Sequence, residues 1–336
     1  MVTIKDVAKA VNVSVTTVSR VLNDKPDVSE ETKRKVEKAI KKLGYNPNGI
    51  ARGLVLQKTF SIGIIIPDLS NPFFPEIVKG IQRKAKKLGY SVILYDTDNN
   101  KKEEKEAVTL LRSKQVDGII LSFSFENKEI LEELEKENYP VVQIDRQIKD
   151  SIYPAVTIDN KKSAYQGTGY LIKNGHKKIA HITGDLSTET AVDRLNGFRQ
   201  ALKDNHIPCK EEWIYYGDYS KESGKVQMER IIKLSDRPTA IFFANDLMAF
   251  GAYEVVNKYN YKIPEDFSIM GHDNIEITSF VKPGLTTMNQ PQYRLGEIAV
   301  EKLISMIQDK ESTSIYQDVI LENDIIVRES VLRYFS

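Results

Sequence analysis

Along the first 22 residues, apolar side chains recur at Ile4, Val7, Ala8 and Val11, and again at Val18, Val21 and Leu22. A three-to-four-residue repeat is the spacing of one helix face, so the stretch predicts two short helices. Asn12 lies between them and tolerates the left-handed backbone that a tight turn requires. Ser14 is placed to cap the second helix, its hydroxyl taking a backbone N–H left free in the first turn. Two short helices across so tight a turn read as a helix-turn-helix, whose second helix enters the DNA major groove. Val15, Thr16, Thr17, Ser19 and Arg20 would face outward from that helix. Arg20 suits the two acceptors of a guanine edge, and Val15 and Thr16 suit a thymine methyl or a mixed contact. The competing reading at this point is an ordinary helical hairpin with a polar outer face.

The pattern continues with a third helix, capped by Ser29 and running to about Leu43. Glu30 and Glu31 sit in its first turn, Lys38, Lys41 and Lys42 near its end, and Gly44 supplies the stop. Pro47 then pushes the residue before it away from helical angles. Residues 48–58, NGIARGLVLQK, can form a helix, although Gly49 and Gly53 each cost about 1 kcal/mol relative to alanine. The segment is shorter than isolated helices usually need to be. It is expected to fray alone and to order on DNA, with a plain linker as the alternative.

From Phe60 onward the texture changes. SIGIIIP (61–67), SVILYDTD (91–98), GIILSFS (118–124) and VVQID (141–145) are strand-like apolar runs, with amphipathic segments at about 75–88, 102–115 and 127–138 between them. A second series follows: KIAHIT (178–183), WIYYGD (213–218), AIFFAN (240–245) and FSIMGHD (267–273), with helices at about 160–174, 190–205, 221–234 and 246–259. Strands alternating with helices predict doubly wound parallel sheets, here two similar α/β lobes. In such sheets ligands bind beyond the C-terminal strand ends, so a cleft between the lobes is the expected site. Those ends carry Asn71-Pro72-Phe73-Phe74, Asp145-Arg146, Arg194, Asp218-Tyr219, Asn245-Asp246 and His272-Asp273. Carboxylates, amides and guanidiniums pair with hydroxyls directionally, and aromatic faces cover the apolar side of a sugar ring. Taken singly, most of these are loop residues capping helices, Asp246 and Asp68 especially. Taken together, they suit a cleft for a neutral sugar.

Charge sharpens this division. Residues 1–60 carry 12 Lys and Arg against 6 Asp and Glu, while the remainder carries 36 against 41. A basic end on a mildly acidic body suits a protein that meets phosphates at one end only. The single Cys209 excludes an intramolecular disulfide and fits a reducing compartment. There is no signal-peptide pattern and no apolar run long enough to span a bilayer, so a cytoplasmic protein is expected. Enzyme motifs are missing. Gly167-Thr168-Gly169 is followed by Ile172 where a dinucleotide fingerprint needs glycine, and there is no P-loop or G-x-S-x-G elbow. His176 and His181 lack metal-ligand spacing and read as a helix-end cation and a strand residue. Cys209 and His206 have no third group to orient them as a nucleophilic pair. No cofactor, metal or catalysis is expected.

With these pieces in order, the chain resembles the LacI/GalR family of bacterial transcription repressors from end to end. TIKDVAKAVNVSVTTVSRVLN (3–23), GYNPNGIARGL (44–54), IGIIIPDLSNPFF (62–74), VDGIIL (116–121), TIDN (157–160), the GH…IAHITG stretch (175–184), RPTAIFFANDLMAFGA (237–252) and LTTMNQP…LG (285–296) carry the likeness. The resemblance implies a helix-turn-helix headpiece at 1–46, a hinge helix or linker at 47–58, and a periplasmic-binding-protein-like body at 59–336. The body's N-lobe is expected at about 59–160 and 291–322, and its C-lobe at about 161–290 and 323–336. The implied DNA-contacting set is Thr3, Lys5, Val15, Thr16, Thr17, Ser19, Arg20, Asn23, Asn48, Arg52 and Leu54. Leu54 matches the leucine that wedges between base pairs in the minor groove. The body resembles ribose-binding members most, which implies ligand contacts from Asn71 at the rim, Phe73, Phe74, Asp145, Arg146, Arg194, Tyr219, Asn245, Asp273 and Gln290. The aromatics would sandwich the sugar ring. His272 departs from the family, where an aromatic residue is commoner, and is expected to alter the hinge edge of the cleft or its pH response.

The implied protein is a homodimer on a pseudo-palindromic operator, released when ribose or a similar sugar closes the cleft. Three alternatives stay open: a co-repressor that tightens DNA binding, a phosphorylated carrier protein docking on the N-lobe, and a cytosolic sugar-binding protein with an incidental basic head. Arg146 is also compatible with an anionic ligand such as a sugar phosphate.

Overall fold

Three helices make up the described part of the N-terminal unit in the computed structural model: α1 (Ile4–Val11), α2 (Val15–Leu22) and α3 (Glu30–Leu43). The structure describes residues 2–22, 26–45, 58–123, 127–148, 150–308 and 316–334. They divide into two units, Met1–Phe60 and Ser61–Ser336. In the first, Val7, Ala8, Val18, Val21 and Val36 form a small buried core edged by Ile4, Val11, Leu22, Ile40 and Leu43. Local signals set its corners. Asn12 ends α1 in the left-handed region at φ 53°, and Ser14 Oγ accepts the Thr17 N–H at 3.0 Å. Ser29 Oγ accepts the Thr32 N–H at 3.3 Å, and Gly44 closes α3 at φ 63°, where glycine adopts a positive φ without a steric cost.

In the second unit strand and helix alternate. β1 (Ser61–Ile66), α4 (Phe73–Lys87), β2 (Ser91–Asp96), α5 (Lys101–Ser113), β3 (Ile119–Leu121), α6 (Lys128–Lys136), β4 (Val141–Ile144) and β5 (Ala155–Ile158) begin the N-lobe. α7 (Asn160–Lys173), β6 (Ile179–Thr183), α8 (Glu189–Asp204), β7 (Ile214–Tyr216), α9 (Lys221–Ile232), β8 (Ala240–Phe243), α10 (Asp246–Lys258), β9 (Ser268–Asp273) and β10 (Thr286–Asn289) build the C-lobe. The chain returns to the N-lobe with α11 (Gln292–Gln308) and β11 (Val319–Leu321), then ends in the C-lobe with β12 (Asp324–Ile326).

Strand order is β11-β5-β4-β3-β1-β2 in one sheet and β12-β10-β9-β8-β6-β7 in the other. All pairings are parallel except the antiparallel β10–β12 pair. Parallel strands covered on both faces need continuous apolar runs, and Ile62, Ile64, Ile65 and Ile66 of β1 are wholly buried. The chain crosses between the lobes three times, at 158–160, 289–292 and 321–324. α11 passes α4 so closely that a Cβ on Gly80 would lie 2.2 Å from the Tyr293 carbonyl oxygen. Only a residue without a side chain allows that approach.

The apolar pattern missed five elements: β5, β10, α11, β11 and β12. Within the expected 118–124 strand the regular strand is Ile119–Leu121, with Gly118 and Ser122 still hydrogen-bonded to β1 at 2.9 Å, and residue 124 lies outside the described residues.

Candidate functional site

The two sheets point their C-terminal strand ends at each other, and the side chains at those ends meet in one pocket. Phe73 and Phe74 open α4 after β1, where Asn71 Oδ1 accepts the Phe73 N–H at 3.1 Å. Asp145 and Arg146 follow β4, Tyr219 follows β7, Asn245 follows β8, Asp273 ends β9, Gln290 follows β10, and Arg194 stands on α8. These ten residues and Thr190 line a cavity of about 20 Å³, room for about one water. It adjoins a mouth of about 500 Å³ that shares Asn71, Phe74, Arg146 and Tyr219 and adds Asp68, Asp185, Asp218 and Lys221. Phe73 and Phe74 meet edge to face, ring centres 5.1 Å apart, so the pair forms one wall.

Charge in the inner pocket is balanced. Arg194 is 3% exposed; its Nε donates to Asn160 Oδ1 at 2.9 Å, its Nη1 donates to the Ala244 carbonyl, and it lies 3.8 Å from Asp273 Oδ1. Arg146 Nε lies 3.8 Å from Asp145 Oδ2, and its guanidinium faces the Tyr219 ring at 5.8 Å. Burial pushes the Asp145 carboxyl up to about 6, although Arg146 and Arg194 pull it down. Burial also raises Asp273. Asp273 Oδ1 accepts Gln290 Nε2–H at 2.7 Å, and its backbone carbonyl accepts from Gln292. The other end of that amide, Gln290 Oε1, is buried without a hydrogen-bond partner. Asp145, Tyr219 and Asp273 sit at φ 64°, 71° and 115°. Such conformations are uncommon for residues with a side chain and cluster at binding sites.

Two contributors had no sequence signal of their own. Thr190 Oγ1 lies 3.2 Å from the Tyr219 hydroxyl; it is one helical turn before Arg194, the one clue to a shared face. Gly184 seats the Tyr219 ring, since a Cβ there would fall 2.0 Å from Tyr219 Cζ. Asn245 has a structural duty besides lining the pocket: Oδ1 caps α10 at the Met248 N–H, and Nδ2 donates to the Tyr219 carbonyl at 2.9 Å. Asp246, expected to be the cap, is instead fully buried, accepting from Thr287 Oγ1 at 2.6 Å and the Ile275 N–H at 3.0 Å. His176, expected to be a cation, is also buried, and burial lowers its pKa and keeps it neutral. His181 is the strand residue expected, within β6. Cys209 is half-buried and its thiol pKa is raised, again by burial. Among the described residues no His, Cys, Asp and Glu cluster could hold a metal, and no helix is long and apolar enough to cross a membrane.

On the headpiece, Val15 and Thr16 are exposed, while Thr17 and Ser19 are half-buried, with Thr17 Oγ1 2.8 Å from Ser14 Oγ. Lys5 is exposed. Thr3 donates its N–H and hydroxyl to Asp6 at 2.9 and 2.7 Å, closing the start of α1. Arg20 is half-exposed and ion-paired with Asp27, a restraint that the helical pattern did not reveal. Asn23, Asn48, Arg52 and Leu54, with almost all of the 47–58 hinge, lie outside the described residues.

Residues 3–48 match the family model described as bacterial regulatory proteins, lacI family, and residues 59–322 match periplasmic binding proteins and sugar binding domain of LacI family. The chain is 37% identical over 334 residues to the HTH-type transcriptional repressor PurR of Aliivibrio salmonicida, covering 98% of this chain and 99% of that one. The lac repressor dimer bound to operator and the anti-inducer ONPF superposes with a TM-score of 0.88 at 30% identity, over 98% of this chain and 99% of that one. A LacI family transcriptional regulator from Enterococcus faecium with bound ribose gives 0.74 at 29% identity, over 82% of this chain and all of that one.

Proposed function

The chain belongs to the LacI family and is a DNA-binding transcriptional repressor of that kind, and we propose that a small neutral sugar, ribose or one like it, releases it from its operator. The observation that carries the ligand class is the unpartnered Gln290 carbonyl oxygen in a pocket whose two carboxylates face two guanidiniums. A buried acceptor without a partner costs about 1–3 kcal/mol, and a ligand hydroxyl would relieve it. An anionic ligand would upset a charge balance already struck by Asp145 and Asp273 against Arg146 and Arg194. That a related regulator was solved with bound ribose supports the same class.

In this reading Phe73, Phe74 and Tyr219 cover the sugar's apolar face, and Asp145, Arg146, Arg194, Asn245, Asp273 and Gln290 bond its hydroxyls, with Asn71 at the rim. The protein acts in the cytoplasm as a homodimer, so two headpieces read a two-fold pseudo-palindrome. α2 supplies base contacts through Val15, Thr16 and Arg20, with Thr3, Lys5, Thr17, Ser19, Asn23, Asn48, Arg52 and Leu54 completing the DNA surface. Sugar closes the cleft, and the hinge segments then lose the mutual support they have on DNA. The coupling is bounded by the sugar's difference in affinity for the two states.

A thermal-shift panel of ribose, other pentoses, hexoses, their phosphates and purines tests the ligand class. A ligand at a hundred times its Kd adds about 2.7 kcal/mol of apparent stability. Ribose or a close relative should shift the protein, and Asp273→Ala should abolish the shift. A response to phosphates or purines alone refutes the neutral-sugar reading.

A further inference from the structure

His272 sits one residue before Asp273 in β9 and is wholly buried. Its Nδ1 lies 3.2 Å from Asp273 Oδ1, and its Nε2 lies 2.8 Å from Ser163 Oγ. Ser163 Oγ accepts Asn323 Nδ2–H at 2.6 Å. A carboxylate only accepts, so Nδ1 carries the imidazole proton. Burial and the neighbouring Arg194 hold His272 neutral, which leaves Nε2 as an acceptor for the Ser163 hydroxyl. Every bond therefore points the same way, from Asn323 through Ser163 and His272 to Asp273.

The members of this relay come from separate parts of the fold. Ser163 lies in the first turn of α7, just past the first inter-lobe crossing, and Asn323 lies in the third crossing. The second crossing supplies Gln290 and Gln292, both bonded to Asp273. Asp273 Oδ1 thus faces two side-chain partners, the Gln290 amide and the His272 ring, which leave the carboxylate little freedom to turn.

Resting on the cleft reading above, we propose that His272 is a positioning residue: it aims the Asp273 carboxylate at the ligand and ties it, through Ser163 and Asn323, to the third crossing between the lobes. Occupancy of the cleft and the angle between the lobes are then read by one hydrogen-bonded unit. A phenylalanine of similar size fills the same space but makes neither bond.

The test has a ligand-free arm and a ligand arm, both on the full chain. In histidine-side-chain ¹⁵N NMR, with the signal assigned by its absence in His272→Phe, the ring is expected to be neutral at pH 7 with its proton on Nδ1. A proton on Nε2, or a charged ring, overturns the proposal. With D-ribose as the probe in calorimetry, losing a buried hydrogen bond predicts about tenfold weaker binding in His272→Phe. Asn323→Ala, which removes a group outside the cleft, should weaken binding severalfold. The double variant should lose clearly less than the product of the two singles, as coupled sites do. Independent, multiplicative losses, or none, refute the relay. If the unaltered protein does not bind ribose, the sugar reading fails, and the tautomer alone decides the role of His272.

Discussion

Replacing Asp145 with asparagine is expected to stabilise the ligand-free protein while removing its response to the effector. The carboxyl is lifted from 3.8 to about 6, chiefly by burial and despite Arg146 and Arg194. Each unit corresponds to about 1.4 kcal/mol, so ionised Asp145 costs the fold about 3 kcal/mol at pH 7. Asparagine keeps the shape, carries no charge, and tolerates the left-handed backbone at φ 64°. The attraction of Arg146 at 3.8 Å is already contained in that net shift; the asparagine amide keeps a smaller burial cost of its own, so about 1–3 kcal/mol should remain. For a domain of this size that is a rise of roughly 2–10 °C in Tm. The sign with pH is fixed by linkage. Between about pH 4 and 6 the folded protein holds a proton that the unfolded chain has released, so this group's stability contribution is full below that window and is lost as pH rises through it. Thermal unfolding followed by circular dichroism from pH 4 to 8 should show the variant ahead at pH 7 and the gap nearly closed at pH 4. A variant less stable at pH 7, or a gap independent of pH, refutes this account of the buried carboxylate.

Gly184→Ala should weaken effector binding at least tenfold in calorimetry, because its Cβ would fall 2.0 Å from Tyr219 Cζ and the ring must leave its seat; unchanged affinity would mean that Tyr219 is not a contact. Arg20→Ala should relax base choice at one position per half-site, a loss of about 1–3 kcal/mol of discrimination. Lys5→Ala should keep base choice and lower the salt slope of binding by about 1, and both are read by fluorescence anisotropy on a set of altered operators. Ser29→Ala removes the acceptor for the Thr32 N–H and should cost the headpiece about 1 kcal/mol in denaturant unfolding.

The headpiece was legible because local chemistry sets it: Asn12, Ser14, Ser29 and Gly44 act on residues within a few positions of themselves. The central strands were legible because parallel strands buried on both faces must be apolar throughout. β10, with the sequence TTMN, and β12, with DII, carry no such run, and the apolar VIL of β11 is only three residues long. Partners distant in the chain define them, and all three border inter-lobe crossings. α11 is a different case: Leu295, Ala299, Val300, Leu303 and Ile307 have helical spacing, but they lie beyond the last strand in the alternating series. The cleft was readable as strand-end chemistry, and its ten proposed residues share one pocket. What no local pattern could supply was three-dimensional support, such as Gly184 beneath Tyr219 or the bonds of His272 to a serine 109 positions away.

Operator binding in the presence of sugar joins the headpiece and the cleft in one experiment. A duplex selected from random DNA by the full-length protein would be followed by fluorescence anisotropy at fixed salt while ribose, other sugars, sugar phosphates and purines are titrated in. Ribose or a close relative is expected to lower operator affinity at least tenfold, and Asp273→Ala to abolish the effect without weakening binding in its absence. An effector that tightens binding, or a response confined to a phosphate or a purine, would contradict it.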